Sequence, residues 1–490
     1  MTTQAIDWWA ILPPLCLVAA AITALLVDAF APRGWRGLPC AISLLGVLAA
    51  LFSSAALSSS SRSAFCLPVA FEQPINCSWL VDDVTLVWWL IVLMSTGLIA
   101  LLLQPSVDRG ELPAGELYFL LLSSATGALC LAAARDLITL LVSLETMSLP
   151  SFALVGLRRR HRRGAEAALK FFIVSIVATA FTLLGISMVY GATGSVAAGR
   201  VASSVATGAA VEPVIGIGMM LTAVGLGFKV AVVPFQVWVP DTYVGAPIGV
   251  AAYLSVVSKA AGLAGLVLVL ARFFPPYVNL WSPVVAVAAA LTMTVGNLAA
   301  LRQRHVVRLL AWSSVAQVGY LLVPLAAGGS EADIGAMQAY ALMYAVVNVS
   351  AFAVVVAVSA WGVVTVDDFR GLVRVRPWLG LGLAFALLCL AGLPPGIVGL
   401  VAKVAVFRSA VDGDLIWLAV VMAVNVALGL VYYLRFLVAV VTPTPVAESP
   451  AEPLDARHAT HGPVDFVVIS TFLAAVVLSI FPGPLFFVLP

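Results

Sequence analysis

The chain contains four lysines, Lys170, Lys229, Lys259 and Lys403, and every one lies in an apolar segment. The other 21 of its 25 basic residues are arginines, placed in polar loops or at the ends of apolar runs. The difference in type matters. Arginine keeps its proton in proteins, whereas a desolvated lysine can release one near neutrality. Lys229 (AVGLGFKVAVVPF), Lys259 (YLSVVSKAAGLAG) and Lys403 (GIVGLVAKVAVFR) stand too deep for their side chains to reach water. Lys170 is only about six residues inside its segment and can snorkel to the interface. Among the acids, only Glu145 (LLVSLETMSLP) is well inside an apolar run. A charge at the centre of a membrane costs several kcal/mol and marks a candidate functional site. One buried acid with three buried lysines suits a proton path. Ion pairs that merely lock helices together would leave two of the lysines without a partner.

Two of these lysines adjoin helix breakers. Pro234 follows Lys229 and removes the backbone hydrogen bond to Val230, while GLPPG at 392–396 precedes Lys403. There Pro394 and Pro395 free the carbonyls of Leu390 and Ala391. Both lysines begin the string Lys-Val-Ala-Val. Interrupted helices at corresponding positions of two halves point to a transport site.

The elements that must position these residues are membrane spans. The 490 residues are 62% hydrophobic and 10% charged, with a mean hydropathy of +1.11. A soluble domain is nearer half apolar and a quarter charged, so a soluble enzyme is excluded. Crossing the hydrocarbon core takes about 20 apolar residues. Runs of that kind fall at 9–30, 38–58, 80–103, 116–134, 137–157, 165–190, 212–235, 248–272, 279–300, 307–326, 333–360, 378–410, 415–441 and 464–488, with only short polar breaks between them. The reading is an all-α membrane protein of about fourteen transmembrane helices, the seventh and twelfth interrupted. Asp7 stands where a signal peptide would be basic, so the first run is expected as a retained helix.

Arginine placement sets the orientation. One alternate set of loops holds 16 arginines, from Arg33 to Arg457, and the other holds Arg62, Arg135, Arg200, Arg272 and Arg408. By the positive-inside bias the arginine-rich set is cytoplasmic and both termini lie outside. The RRRHRR run at 158–163 then reads as a topology anchor rather than a nucleic-acid patch, in keeping with a net charge of only +2.

Other chemistries find little support. Cys16, Cys40, Cys130 and Cys389 fall in apolar runs, and no CxxC pair or Cys/His cluster suggests iron–sulfur or zinc. GLGLG at 379–383 lies in an apolar span, where close helix packing explains it better than a dinucleotide loop. Cys66 and Cys77 share the longest polar loop of the first third, on the side placed outside. A disulfide and two unpaired thiols both fit that position.

Spans 4–13 resemble the antiporter-like membrane subunits of respiratory complex I, a family shared with multisubunit cation/proton antiporters and membrane-bound hydrogenases. The resemblance rests on 144–175 (LETMSLPSFALVGLRRRHRRGAEAALKFFIVS), YGATGS (190–195), 228–262 (FKVAVVPFQVWVPDTYVGAPIGVAAYLSVVSKAAG), RLLAWSSVAQVGYLL (308–322) and GLPPGIVGLVAKVAVF (392–407). The GAEAALKFF (164–172) and W-x-P-D-x-Y-x-G-A-P (238–247) blocks are most similar to subunit N. Three positions depart from that pattern. Val244 stands for the usual glutamate, Ile248-Gly249 for Thr-Pro, and Gln317 for a common histidine.

The resemblance implies spans 4–8 and 9–13 as inverted repeats. It divides the chain into an N-terminal three-helix segment (1–115), two five-helix repeats (116–272 and 273–441) and a loop with the last helix (442–490). It implies a proton-translocating subunit of NADH-quinone oxidoreductase, driven by quinone reduction in other subunits. The alternative is a subunit of a cation/proton antiporter or hydrogenase-like complex. Glu145 and Lys229 would form a charge pair, Lys259 would take the proton and Lys403 would pass it outward. Ser314, Gln317 and Tyr320 are candidate relay groups. No cofactor is expected on this chain. NADH, FMN, iron–sulfur clusters and quinone belong to partners, with M-like, K-like and J-like subunits as neighbours in a bacterial inner membrane. The orientation is directly testable. A cytoplasmic reporter fused after Arg163 is expected to be active and one fused at Gly199 silent; the reverse would overturn the span assignment.

Overall fold

The computed structural model describes residues 6–32, 35–58, 60–66, 77–159, 161–208, 212–359, 362–443 and 462–483. Among these, 13 helices are long and apolar enough to cross a membrane. The run expected as span twelve is two shorter helices, Pro377–Ala391 and Ile397–Asp412. The sixth span is longer than its apolar run, Arg162–Thr193, and the last helix is Gly462–Ile480. Arg33, Arg160, Arg457 and the loop at 444–461 lie outside the described residues.

Burial sorts the helices into a core and a wall. In the most apolar 18 residues of Ile248–Phe273 and of Val306–Ala326, 94% of the residues are buried, against 33% in those of Arg162–Thr193 and Gly462–Ile480. The core helices carry Lys259 and Ser314; the wall helices turn Leu, Ile, Val and Phe outward. A helix apolar on every side is what a membrane-embedded core requires, since lipid and packed side chains offer equally dry surroundings.

Both expected breaks are present. Helix Glu212–Val230 stops one residue after Lys229, where Ala231 takes a left-handed φ of 72°. A turn at Phe235–Val237 then leads into helix Trp238–Gly245. The Trp238 indole donates to the Phe228 carbonyl at 3.0 Å, satisfying a group at the broken end. In the second break Gly392, at φ 79°, ends helix Pro377–Ala391 with N–H groups of Gly392 and Leu393 returning to Leu388. Gly399 packs so close to the Cys389 carbonyl that a Cβ has no room there.

The polar loops form more structure than their short length suggests. Strands Arg62–Cys66 and Cys77–Val81 pair antiparallel, and Cys66 is joined to Cys77 by a disulfide. Trp79 of the second strand donates to the Ala10 carbonyl at 3.0 Å. The hairpin also reaches Arg135, which pairs with Asp82 at 2.9 Å. Burial works to raise the Asp82 pKa, but Arg135 and the Thr85 hydrogen bonds outweigh it and hold the carboxyl below its ordinary range. A short helix, Ala198–Ala206, is tied to the same end through the Asp136–Ala197 bridge. Apolar-run counting could not reveal these loop elements, because each is far shorter than the about 20 residues of a span. With the disulfide in place, thiol reagents under denaturing, non-reducing conditions should leave Cys66 and Cys77 unlabelled, and its loss should weaken the hairpin by about 2–3 kcal/mol. Label on both residues would show that the bond does not form in cells.

Candidate functional site

Lys229, Lys259 and Lys403 are 1%, 1% and 7% exposed, and none makes an ion pair among the described residues. Each is held by neutral oxygen. Lys229 donates to Ser148 Oγ at 3.0 Å and stands 5.5 Å from the centre of the Phe171 ring. A desolvated ammonium over an aromatic face gains about 2 kcal/mol. Phe171 is in turn stacked on Trp238 at 4.4 Å, so the helix break shapes the pocket of the lysine that precedes it.

Glu145 and Lys229, expected as a charge pair, make no ion pair in contact among the described residues. Glu145 is half-buried and accepts from Thr179 Oγ1 at 2.6 Å, while Lys229 turns to Ser148. Glu145 and Ser148 stand one turn apart on helix Leu137–Gly156, which puts the carboxylate within electrostatic reach of Lys229 without touching it.

Lys259 donates to both the carbonyl and the hydroxyl of Ser314, at 2.6 and 2.7 Å. On its own helix, Ser255 accepts from Asn348 at 2.6 Å. Lys403 donates to the Leu390 carbonyl at 2.6 Å. This is one of the carbonyls that Pro394 and Pro395 leave without a backbone donor.

Ser314, Gln317 and Tyr320 recur every third residue on helix Val306–Ala326 and so share a face directed from Lys259 toward Lys403. Gln317 accepts from Tyr340 at 2.5 Å and donates to Tyr433 at 3.0 Å. Ser313 bonds the same Tyr433 hydroxyl at 2.5 Å. Tyr320 receives a bond from Asn297, which also accepts from Tyr432 at 3.0 Å and donates to Asn425. Gln317, Tyr320, Tyr432 and Lys403 line one small polar gap. Reasoning from sequence missed Asn297, Tyr340, Asn425, Ser148 and Thr179. A signal existed for the two asparagines: each is an amide well inside an apolar span, as Asn348 is.

Among the described residues, the buried hydroxyls without a protein partner belong to Thr242, Tyr243, Tyr253, Ser258, Tyr344 and Ser350. An unsatisfied buried hydroxyl costs about 1–3 kcal/mol, which hydration removes.

Lys170 lies outside the row, as expected. Its side chain is half-exposed and pairs with Glu166 at 2.7 Å and Asp241 at 3.5 Å. Asp241 also meets Arg308 at 3.3 Å, so it ties the helix after the break to two spans. At this arginine-rich end a cavity of about 1110 Å³ opens, bordered by Asp28, Arg36, Glu111, Arg158 and His305, together with Val244 and Ile248. Burial, with help from Arg308 and Arg163, pushes the His305 imidazole below its ordinary pKa. Among the described residues no group of His, Cys, Asp and Glu has the arrangement to hold a metal ion.

Comparison with known proteins agrees with this architecture. Residues 134–429 match the family described as "NADH:quinone oxidoreductase/Mrp antiporter, TM". NADH-quinone oxidoreductase subunit N 2 of Streptomyces griseus is 51% identical over 445 residues, covering 88% of this chain and 82% of its own. Subunit N of Salinispora tropica is 43% identical, covering 92% of this chain and 88% of its own. A chain of respiratory complex I from Thermus thermophilus superposes with a TM-score of 0.76 at 30% identity, covering 96% of this chain and 97% of that one. A chain of the Mrp complex from Dietzia sp. shares the fold at a TM-score of 0.82 and 21% identity, covering 98% and 96%. The chain belongs to the subunit N family of NADH-quinone oxidoreductase, the antiporter-like membrane subunits of complex I.

Proposed function

We propose that the chain is the proton-translocating subunit N of a bacterial NADH-quinone oxidoreductase and that Glu145, Lys229, Lys259 and Lys403 carry the proton. The observation that supports the relay best is the set of partners. A lysine bonded to a carboxylate is held in its charged form, whereas a carbonyl or hydroxyl oxygen can keep contact with ammonium and amine alike. All three buried lysines have partners of the second kind. Glu145 stands one turn from Ser148, the partner of Lys229, so its charge is felt at Lys229 through the low-dielectric interior. Protons pass from Lys229 to Lys259 and along Ser314, Gln317 and Tyr320 to Lys403, in two inverted five-span halves, 116–272 and 273–441. Pro234, Pro394 and Pro395 keep the helix breaks that free the carbonyls of these halves.

The remaining assignments follow from the same reading. Electron transfer takes place in partner subunits that hold NADH, FMN, iron–sulfur clusters and quinone. The chain lies in the inner membrane with both termini outside, among M-like, K-like and J-like neighbours. Half-buried Glu145, on the wall formed with helix Arg162–Thr193, supports a neighbour there, since a carboxylate facing lipid would be expensive.

The test separates carrying a proton from holding a charge. In membranes with matched subunit content, Lys229→Ala should lower quinone reductase turnover and pumping together. Lys229→Arg should fail nearly as badly, because arginine keeps its proton at any reachable pH. Lys170→Arg should be far milder. Full activity in Lys229→Arg would mean that Lys229 only holds a charge, and the relay would have to be abandoned.

A further inference from the structure

None of the four relay residues borders the large cavity at the arginine-rich end, and its charge calls for a ligand of its own. Four arginines border it, Arg36, Arg109, Arg158 and Arg159, against two carboxylates, Asp28 and Glu111. Glu111 is already occupied, by Arg109 at 2.6 Å and Arg158 at 2.8 Å. The remaining balance is positive. Arg36 spends one nitrogen on the Asp108 carbonyl at 3.1 Å and Arg158 spends one on Glu111, whereas a guanidinium has five N–H donors. His161, at the same border, accepts from the Gly164 amide through Nδ1 at 3.0 Å, so in its neutral form Nε2 carries the proton and can donate. Donors in this number suit phosphate oxygens.

An apolar groove of about 430 Å³ adjoins the cavity and shares Ala31, Pro32 and Trp35 with it. Leu26, Phe30 and Leu38 line the groove, at the end of helix Trp8–Phe30 and the start of helix Leu38–Ala56. Leu26 stands four residues before Phe30, about 6 Å further into the span. This corner turns outward: Phe30 is 85% exposed and Trp35 60%. Trp8 and Trp9, at the opposite end of the same helix, are exposed as well, and so are Leu15, Val18, Ile22 and Leu26 between the two ends. Tryptophans at both ends of an outward apolar face mark the two interfaces of a lipid-facing span.

We propose that this corner binds an anionic phospholipid from the leaflet at the arginine-rich end, with an acyl chain on Leu26, Phe30 and Leu38 and the phosphate among Arg36, Arg158 and Arg159. Basic pockets beside membrane spans take such headgroups. Trp35 borders both the charged cavity and the groove, as the glycerol backbone of a lipid joins head to tail. Asp28 has the chemistry to accept from a headgroup hydroxyl, which favours a glycerol headgroup over a bare phosphate. A free phosphate satisfies the arginines and leaves the groove uncovered. The site is also a seam: the first helices border it through Asp28 and Arg36, and the later spans through Arg158 and His305, so the lipid joins the two. The inference stands apart from the lysine relay, and neither depends on the other.

The test uses the whole complex in nanodiscs of phosphatidylcholine that contain phosphatidylglycerol with a photoactivatable acyl chain. On illumination the label should fall on Leu26, Phe30 or Leu38. Unlabelled phosphatidylglycerol should compete, and inorganic phosphate should not. Arg36→Gln combined with Arg159→Gln should leave subunit content unchanged, since neither arginine belongs to an ion pair among the described residues. The mole fraction of probe that gives half-maximal labelling should rise about thirtyfold in that variant, about fivefold for each arginine. Leu26→Trp, which fills the groove and keeps the arginines, should abolish labelling at Phe30 and Leu38, and it reads the same site should the arginine variant fail to assemble. Competition by inorganic phosphate would make this a free-phosphate site. Equal labelling by a phosphatidylcholine probe, or unchanged labelling in the arginine variant, would show ordinary boundary lipid. Absence of label from all three residues would show that another chain covers the corner. Each of these outcomes overturns the proposal.

Discussion

Three amine nitrogens sit in a dry interior with only neutral oxygens and one aromatic face for company. Burying an ammonium costs several kcal/mol, and a hydrogen bond to a carbonyl or hydroxyl returns only about 1.5–3 kcal/mol of it. The balance is left close, and that closeness suits a proton carrier. A carboxylate in contact with Lys259 would pin the charge; a wholly apolar pocket would abolish it. Ser314 does neither, since its hydroxyl can accept from an ammonium or donate to an amine.

The fold reads as the means of keeping that balance. Near Lys403, the proline pair opens the helix and leaves the Leu390 carbonyl to the lysine. Near Lys229, the break turns the chain so that Trp238 both caps the Phe228 carbonyl and stacks on Phe171, the ring that faces the ammonium. In each case backbone order is given up where a side chain needs a partner, which a membrane tolerates only in the protein interior. The core helices that carry Lys259 and Ser314 are shielded by a wall of lipid-compatible helices. In the proposed relay, coupling among the groups would come from low dielectric and proximity.

Much of this was legible in the residues. Lysine confined to apolar runs, with arginine everywhere else, singled out the row. The prolines located both breaks, and the Leu390 carbonyl freed by Pro394 is the one that Lys403 finds. What the residues could not give was partner choice. Glu145 pairs with Thr179, and Lys229 with Ser148, because helix Leu137–Gly156 turns Glu145 toward the wall and Ser148 inward. That rotation is a property of packing, and the helix is apolar on both faces, so periodicity does not report it. The Tyr340–Gln317 link was hidden for a similar reason: it joins two neighbouring spans whose facing is set by packing.

The central claim is that lysine side chains change protonation during turnover. Redox-induced infrared difference spectra of the complex, with the lysines carrying ¹⁵N, report that directly. Isotope-sensitive ammonium bands are expected to change on quinone reduction, and to lose intensity when Lys259 is replaced by methionine. Spectra in which no lysine band moves, from a complex that pumps at full rate, would contradict the account.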